Sequence, residues 1–267
     1  MIFLKTEDEI ELLRQANRLV GATLGQLASA IRPGVTTGQL DAIAVTFIRD
    51  HGATPVFKGF PSSFGAGPFP ASICTSVNEQ VVHGIPGNVV LHEGDIVSVD
   101  CGVKFNGFCG DSAYTFCVGE VSPEVMHLLR TTKEALYLGI KAARPGKRIG
   151  DIGHAVQSLC EKQGFGVVRE FVGHGVGRDM HEDPQVPNYG QAGFGPLLKR
   201  GMCIAIEPMI TMGKRQVVLY PDGWTVGTRD RKYAAHYEHT IAIGKTGEAD
   251  ILSTFEFIET VLGDKAI

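Results

Sequence analysis

Four carboxylates stand where a carboxylate is costly. Asp100, Asp111, Glu207 and Glu238 lie in or beside short apolar, β-branched runs, GDIVSVDCG, GDSAYTF, GMCIAIEPM and YEHTIAI. A carboxylate facing a core needs a partner, and a divalent metal is the strongest one available. Two glycine-flanked histidines accompany them, His83 in VVHGIPG and His174 in VGHGVG. Together these residues read as a two-metal hydrolytic site on an antiparallel sheet. A surface turn or a salt bridge accounts for any one acid about as well, but poorly for all four. A metal-free carboxylate dyad working as acid and base is a second alternative, and it leaves His174 without a role.

Spacing supports the first pair. Asn106-Gly107 between Asp100 and Asp111 is a type I′ hairpin signal. With those two residues in the turn, position 102 faces 111 across the strands, and residue 100 shares a face with 102. Asp100 and Asp111 become diagonal neighbours, about 7–8 Å apart at the backbone. Side chains reaching inward from there can share ions about 3.5–4 Å apart. Without cations the two charges repel and at least one stays protonated.

Helices and strands must position these groups. Thr6 and Glu9 have capping-box spacing ahead of apolar residues at helical intervals, which predicts a helix from Thr6 to the Arg32-Pro33-Gly34 stop. Further helices are expected over Thr37 to about His51, from Ser122-Pro123 to about Ala143, and from Ile149 to about Gln163. Strands are expected at Ile73–Val77, Ile96–Val103, Ala113–Val118, Val167–Phe171, Met202–Thr211, Gln216–Leu219 and His236–Ile243. The stretch from Thr54 to Ala71 reads as a loop or edge segment with aromatic anchors.

The pattern repeats. Pro33, Gly38 and Gly52 recur 112 positions later as Pro145, Gly150 and Gly164, and Gly94 and Asp100 recur 107 later as Gly201 and Glu207. Asp111 and Glu238 then each open a β-type run ending in glycine. The simplest reading is one domain over 1–267, built from two similar α+β halves, about 1–119 and 120–267. A pseudo-two-fold axis relates the halves, and each donates two carboxylates to a site near it.

Composition excludes several classes. Of 267 residues, 43% are hydrophobic and 20% charged, with a formal net charge of -4, so neither a nucleic-acid face nor a polybasic membrane patch is suggested. The start, MIFLKTEDEIELL, has no signal-peptide core, and no apolar run is long enough to span a bilayer. None of the six cysteines forms a CxxC pair; they read as buried reduced thiols in a reducing compartment. His51, His92, His127 and His154 read as solvated. His239 alternates away from Glu238, whereas His236 shares its nominal face.

The residues resemble the type I methionine aminopeptidases. The resemblance rests on Phe171-Val172-Gly173-His174-Gly175-Val176-Gly177 with His181 and Val186-Pro187-Asn188-Tyr189. It rests equally on Asn78-Glu79-Gln80-Val81-Val82-His83-Gly84-Ile85-Pro86, Ile206-Glu207-Pro208-Met209, Asp222-Gly223-Trp224-Thr225 and Tyr237-Glu238-His239-Thr240. It covers the chain from the first helix to about Ser253. It implies the pita-bread fold, an α+β class with a central curved antiparallel sheet flanked by helices. It implies that Asp100, Asp111, His174, Glu207 and Glu238 hold two divalent ions (cobalt, manganese, iron, nickel or zinc), with Asp111 and Glu238 bridging. His83 and His181 would hydrogen-bond the substrate near the scissile amide.

The implied reaction removes the N-terminal methionine from nascent proteins and peptides whose second residue is small. Metal-bridged hydroxide attacks the first carbonyl, His181 helps stabilise the oxyanion, and Glu207, assisted by His83, relays a proton to the leaving nitrogen. Phe69, Cys74, Trp224 and Phe60 are the pocket candidates by motif position; for Phe60, plain core packing is favoured. The segment Phe60–Phe69 looks longer than the family's usual loop and would lie beside the pocket. Set beside the family, neither the long insertion of type II relatives nor an N-terminal extension for zinc or the ribosome is expected. A compact cytoplasmic enzyme is expected, with nothing demanding more than a monomer, with transient ribosome association, and with no nucleic-acid or membrane partner. Two alternatives stay open: a proline-directed peptidase of the same fold, and a binding protein that has kept the fold without catalysis.

Overall fold

A computed structural model describes residues 1–62 and 65–267. Ser63 and Phe64, within the Phe60–Phe69 segment expected at the pocket rim, lie outside the described residues. The chain opens with α1 (Glu7–Ala30) and α2 (Thr37–Asp50), followed by β1 (Thr54–Pro55), β2 (Ile73–Val77), β3 (Gln80–Val82), β4 (Ile96–Phe105) and β5 (Phe108–Cys117). After α3 (Pro123–Ala142) and α4 (Ile149–Lys162) come β6 (Gly166–Val167), β7 (Gly173–Gly175), β8 (Glu182–Val186), β9 (Cys203–Ile206) and β10 (Met209–Thr211). Then β11 (Val217–Leu219), β12 (Val226–Thr228), β13 (Ala234–His236), β14 (His239–Ala242), β15 (Asp250–Ile251) and α5 (Glu256–Leu262) complete it.

The helix starts follow local chemistry. Thr6 caps α1 through a reciprocal box with Glu9, Thr36 caps α2 with Gln39, and Ser122 caps α3 ahead of Pro123. The repeat is visible in the elements: α2 and α4 are each 14 residues long and start at 37 and 149, which is the 112-residue offset. The strands pair antiparallel in four hydrogen-bonded sections, with orders β1-β4-β2 (β5 also on β4), β13-β10-β6, β11-β12-β3 and β15-β14-β9-β7-β8. One large apolar core joins both halves, packing Leu24, Leu40 and Tyr114 with Leu136, Ile204 and Tyr237.

The hairpin forms in the expected register, with Gly102 opposite Asp111 and Asp100 opposite Ala113. Asn106 (φ 50) and Gly107 (φ 84) take the left-handed conformations that a type I′ turn demands. Helix α1 lies hard against this hairpin at Gly110, where a Cβ would come within 2.5 Å of the Ala16 carbonyl carbon.

Three expected strands are broken. Met202–Thr211 divides into β9 and β10 at Glu207-Pro208, because Pro208 has no N–H to continue a ladder. His236–Ile243 divides into β13 and β14 at Tyr237-Glu238, where the Glu238 N–H goes to the Ala113 carbonyl instead. Val167–Phe171 contributes only Gly166–Val167 as strand; Glu170 and Phe171 leave the sheet to wall a cavity. Strands β3, β7, β8, β12 and β15 and helix α5 were not expected. Strand β8 is polar, carries Pro184 and lies at a sheet edge; α5, of 7 residues, is too short to show a period.

Candidate metal centre

The five expected ligands come from five different places and meet at one. Asp100 and Asp111 stand on the two strands of the β4–β5 hairpin, and His174 stands on β7. Glu207 and Glu238 occupy the two strand breaks. A break frees the backbone from the ladder, so each glutamate can turn inward without spoiling a pairing.

The scaffold holds them from behind. Asn17, inside α1, accepts the Asp111 N–H on Oδ1 at 3.1 Å and donates from Nδ2 to the Leu13 carbonyl at 2.9 Å. Ser112 Oγ donates to the Glu238 carbonyl at 2.7 Å, and Thr240 Oγ1 donates to the Asp111 carbonyl at 2.9 Å, lacing the two halves together. Asn188 Nδ2 donates to the Glu207 carbonyl at 2.9 Å.

Acceptors face acceptors across this space. His174 Nδ1 lies 2.8 Å from the Gly175 carbonyl, which requires the proton there and leaves the Nε2 lone pair free. Nε2 is 3.5 Å from Asp111 Oδ2 and 3.6 Å from Glu207 Oε1. Ligand atoms of Asp111, His174 and Glu238 all lie within 4.8 Å of one another. Asp100 Oδ1, Asp111 Oδ1 and Glu238 Oε1 are buried with no hydrogen-bond partner. Such a set is stabilised by protons or by cations, and its oxygen-rich character with one imidazole fits a divalent ion such as manganese, iron or cobalt.

Electrostatics agree. Burial first, and then Asp111, holds Asp100 well above the usual carboxylate range. Glu207 and Glu238 are raised by burial and by the neighbouring aspartates. Burial pushes Asp111 up to about 8, against the pull of Glu238 and the Ser112 backbone. Burial also lowers His174, keeping it neutral as a ligand must be.

The carboxylates line a cavity of about 490 Å³. His83 enters it from a strained turn, with φ 60, anchored on β2 by the bond from the Thr75 N–H to the Gly84 carbonyl. Its Nδ1 is buried without a partner, and burial with nearby His181 lowers its pKa to about 4. His181 packs its ring 4.3 Å from the His174 ring and 5.1 Å from Phe60. Phe69 and Trp224 meet edge to face at 5.1 Å, and Trp224 Nε1 donates to the Gly67 carbonyl at 3.0 Å. Cys74 sits opposite Asp100 in the β2–β4 register.

Phe60, a pocket candidate by motif for which plain packing was favoured, does both: it packs against buried apolar clusters and lines the cavity. Phe57, Val82, Phe171 and Met209 line it too and were not singled out. Asn17 also went unnoticed; an asparagine on the apolar stripe of α1 was the available signal. His239 turns away, with Nδ1 2.6 Å from Ser253 Oγ, whereas His236 Nε2 comes within 3.7 Å of Glu207 Oε2. His51, His92, His127 and His154 are exposed. All six cysteines are free thiols, five of them buried. Among the described residues no helix is long and apolar enough to cross a membrane.

Residues 11–245 match metallopeptidase family M24. A methionine aminopeptidase of Clostridium acetobutylicum is 52% identical over 248 residues, covering 92% of this chain and 97% of the relative. The crystal structure of methionine aminopeptidase from Thermotoga maritima superposes with a TM-score of 0.91 at 44% identity, covering 95% of this chain and 100% of that one. The prolidase of Pyrococcus horikoshii shares the fold at 21% identity and a TM-score of 0.74, with 94% of this chain matching 63% of the prolidase.

Proposed function

Because the chain belongs to metallopeptidase family M24, we infer that it is a metal-dependent aminopeptidase of pita-bread fold that removes N-terminal methionine from peptides and proteins. The observation that carries this reading is the convergence of buried acceptor groups at one end of an apolar cavity. The finer proposal is that Asp100, Asp111, His174, Glu207 and Glu238 hold two divalent ions. Bound there, divalent ions supply an activated water near neutral pH and Lewis acidity toward a carbonyl.

The protein's own groups do the rest. The acidic floor favours the positive α-amine of a peptide terminus, which an internal peptide bond lacks. Phe69, Trp224, Cys74 and Phe60 surround the side chain of the first residue, where sulfur and aromatic groups suit a thioether. His83 offers a buried ring nitrogen to the scissile amide. His181 donates to the developing oxyanion. Glu207, assisted by His83, holds the proton that passes to the leaving nitrogen. The preference for a small second residue rests on the family reading; His181 itself is packed between Phe60 and His174.

Ligands from both sequence halves support one catalytic domain over 1–267, with halves of about 1–119 and 120–267. The reduced thiols fit a cytoplasmic enzyme. Its partners would be nascent chains carrying N-terminal methionine, met as a monomer with transient ribosome association. Turnover of Met-Ala-Ser by manganese-loaded protein, alongside Xaa-Pro dipeptides, tests the assignment. Release of methionine with Xaa-Pro untouched supports it; the reverse preference makes the chain a proline-directed peptidase.

A further inference from the structure

Glu207 has an imidazole nitrogen near each of its oxygens. His174 Nε2 lies 3.6 Å from Oε1, and His236 Nε2 lies 3.7 Å from Oε2. The two rings cannot serve the same purpose. His174 commits its proton to the Gly175 carbonyl and presents a lone pair. His236 has no such commitment at Nε2, which is buried without a partner, on a residue only 2% exposed.

The His236 backbone is clamped. Its N–H donates to Thr115 Oγ1 at 3.0 Å, and its carbonyl accepts from the same hydroxyl at 2.7 Å. The next residue, Tyr237, donates its hydroxyl to the Thr115 carbonyl at 3.1 Å. In the β10–β13 pairing His236 stands opposite Met209, so its ring reaches the strand break that holds Glu207. A carboxylate that gives one oxygen to a cation leaves the other buried, and a buried acceptor without a donor is costly. The remaining gap exceeds a normal hydrogen bond by about half an ångström, which a small turn of the soft terminal torsion of glutamate closes.

We propose that His236 is a positioning residue of the metal centre: as the neutral tautomer protonated at Nε2, it donates to Glu207 Oε2 and fixes which oxygen faces the ion. This rests on the reading of Glu207 as a metal ligand. The buried ring is not one of the side chains lining the cavity, so its effect is expected on metal affinity and kcat more than on KM.

Replacing His236 by leucine keeps bulk and removes the donor; replacing it by glutamine keeps an amide donor at similar reach. Isothermal titration with Mn(II) and steady-state turnover of Met-Ala-Ser read the consequence. His236→Leu is expected to weaken Mn(II) binding and lower kcat by about 10–100-fold, with His236→Gln recovering most of both. Equal impairment in the two variants makes the ring a packing element and overturns the proposal. So does a leucine variant that matches wild type. Should the leucine variant fail to fold, nitrogen-15 spectra of the Zn(II)-loaded wild type decide: a proton on His236 Nε2 supports the proposal, and one on Nδ1 overturns it. A wild type that takes up no Mn(II) defeats the metal-centre reading and this inference together. A wild type that takes it up beside an unaltered leucine variant defeats this inference alone.

Discussion

At the residue scale the proposed site is a set of buried acids that are held neutral by protons or compensated by bound cations. The folded chain raises all four carboxylates above their unfolded values near 4. A raised folded-state pKa stabilises the fold below the unfolded value, and that contribution is lost as pH climbs through the folded one. Metal-free protein should therefore lose stability from about pH 4 upward to about 8, the value reached by Asp111. Divalent ions bind the deprotonated forms, so loading should reverse the trend and release protons. Melting temperatures of chelated and manganese-loaded protein between pH 5 and 8 check this; a chelated melting temperature that rises across the window contradicts it. On the proposed ligand set Asp111→Ala removes a ligand common to both ions, and metal affinity should fall by more than about 100-fold, beyond what a supporting residue contributes. His83→Ala is expected to leave Mn(II) uptake intact while lowering kcat by about 10²–10⁴, the range for a positioned proton-transfer group. Equilibrium dialysis and turnover on the same preparation separate the two outcomes.

At the element scale, the hairpin was readable, and of the two strand breaks that carry glutamates only one left a sign in the sequence. Asn106-Gly107 sets the turn, and the turn sets the register that brings Asp100 and Asp111 to one face. That inference is local and needs no knowledge of the rest of the fold. Glu207 and Glu238 looked like strand residues because their flanks are apolar and β-branched. Pro208 was the legible sign that the ladder stops there. Nothing nearby in sequence tells that the Glu238 N–H would pair with Ala113, 125 positions earlier. The support from α1 is equally remote: Asn17 holds the Asp111 N–H across 94 positions. Asn17→Ala leaves a buried donor unmet and should destabilise the fold by about 1–3 kcal/mol. Urea unfolding of the metal-loaded protein measures it. A variant as stable as the wild type would show that the contact contributes nothing.

At the scale of the whole molecule, the offset between two like helices was legible and the cavity was not. The 112-residue offset between α2 and α4 is a periodicity that sequence carries directly. Asp100 and Glu207, 107 positions apart, do not keep the same place within an element: Asp100 lies inside β4, and Glu207 follows the end of β9. The cavity walls obey no such period. Phe57 and Phe60 come from the segment after β1, Phe171 from the stretch that leaves β6, and Met209 from the far side of a strand break. Their convergence is a product of tertiary packing, which no local pattern around these residues announces. The central claim is that five side chains from both halves hold divalent ions that the reaction needs. Stepwise addition of Mn(II) to chelated protein, with methionine release from Met-Ala-Ser followed at each step, tests it most directly. Turnover should be absent at the start, saturate at two ions per chain, and fail to appear in Asp111→Ala. Undiminished turnover by the chelated protein, or full activity in that variant, contradicts the account.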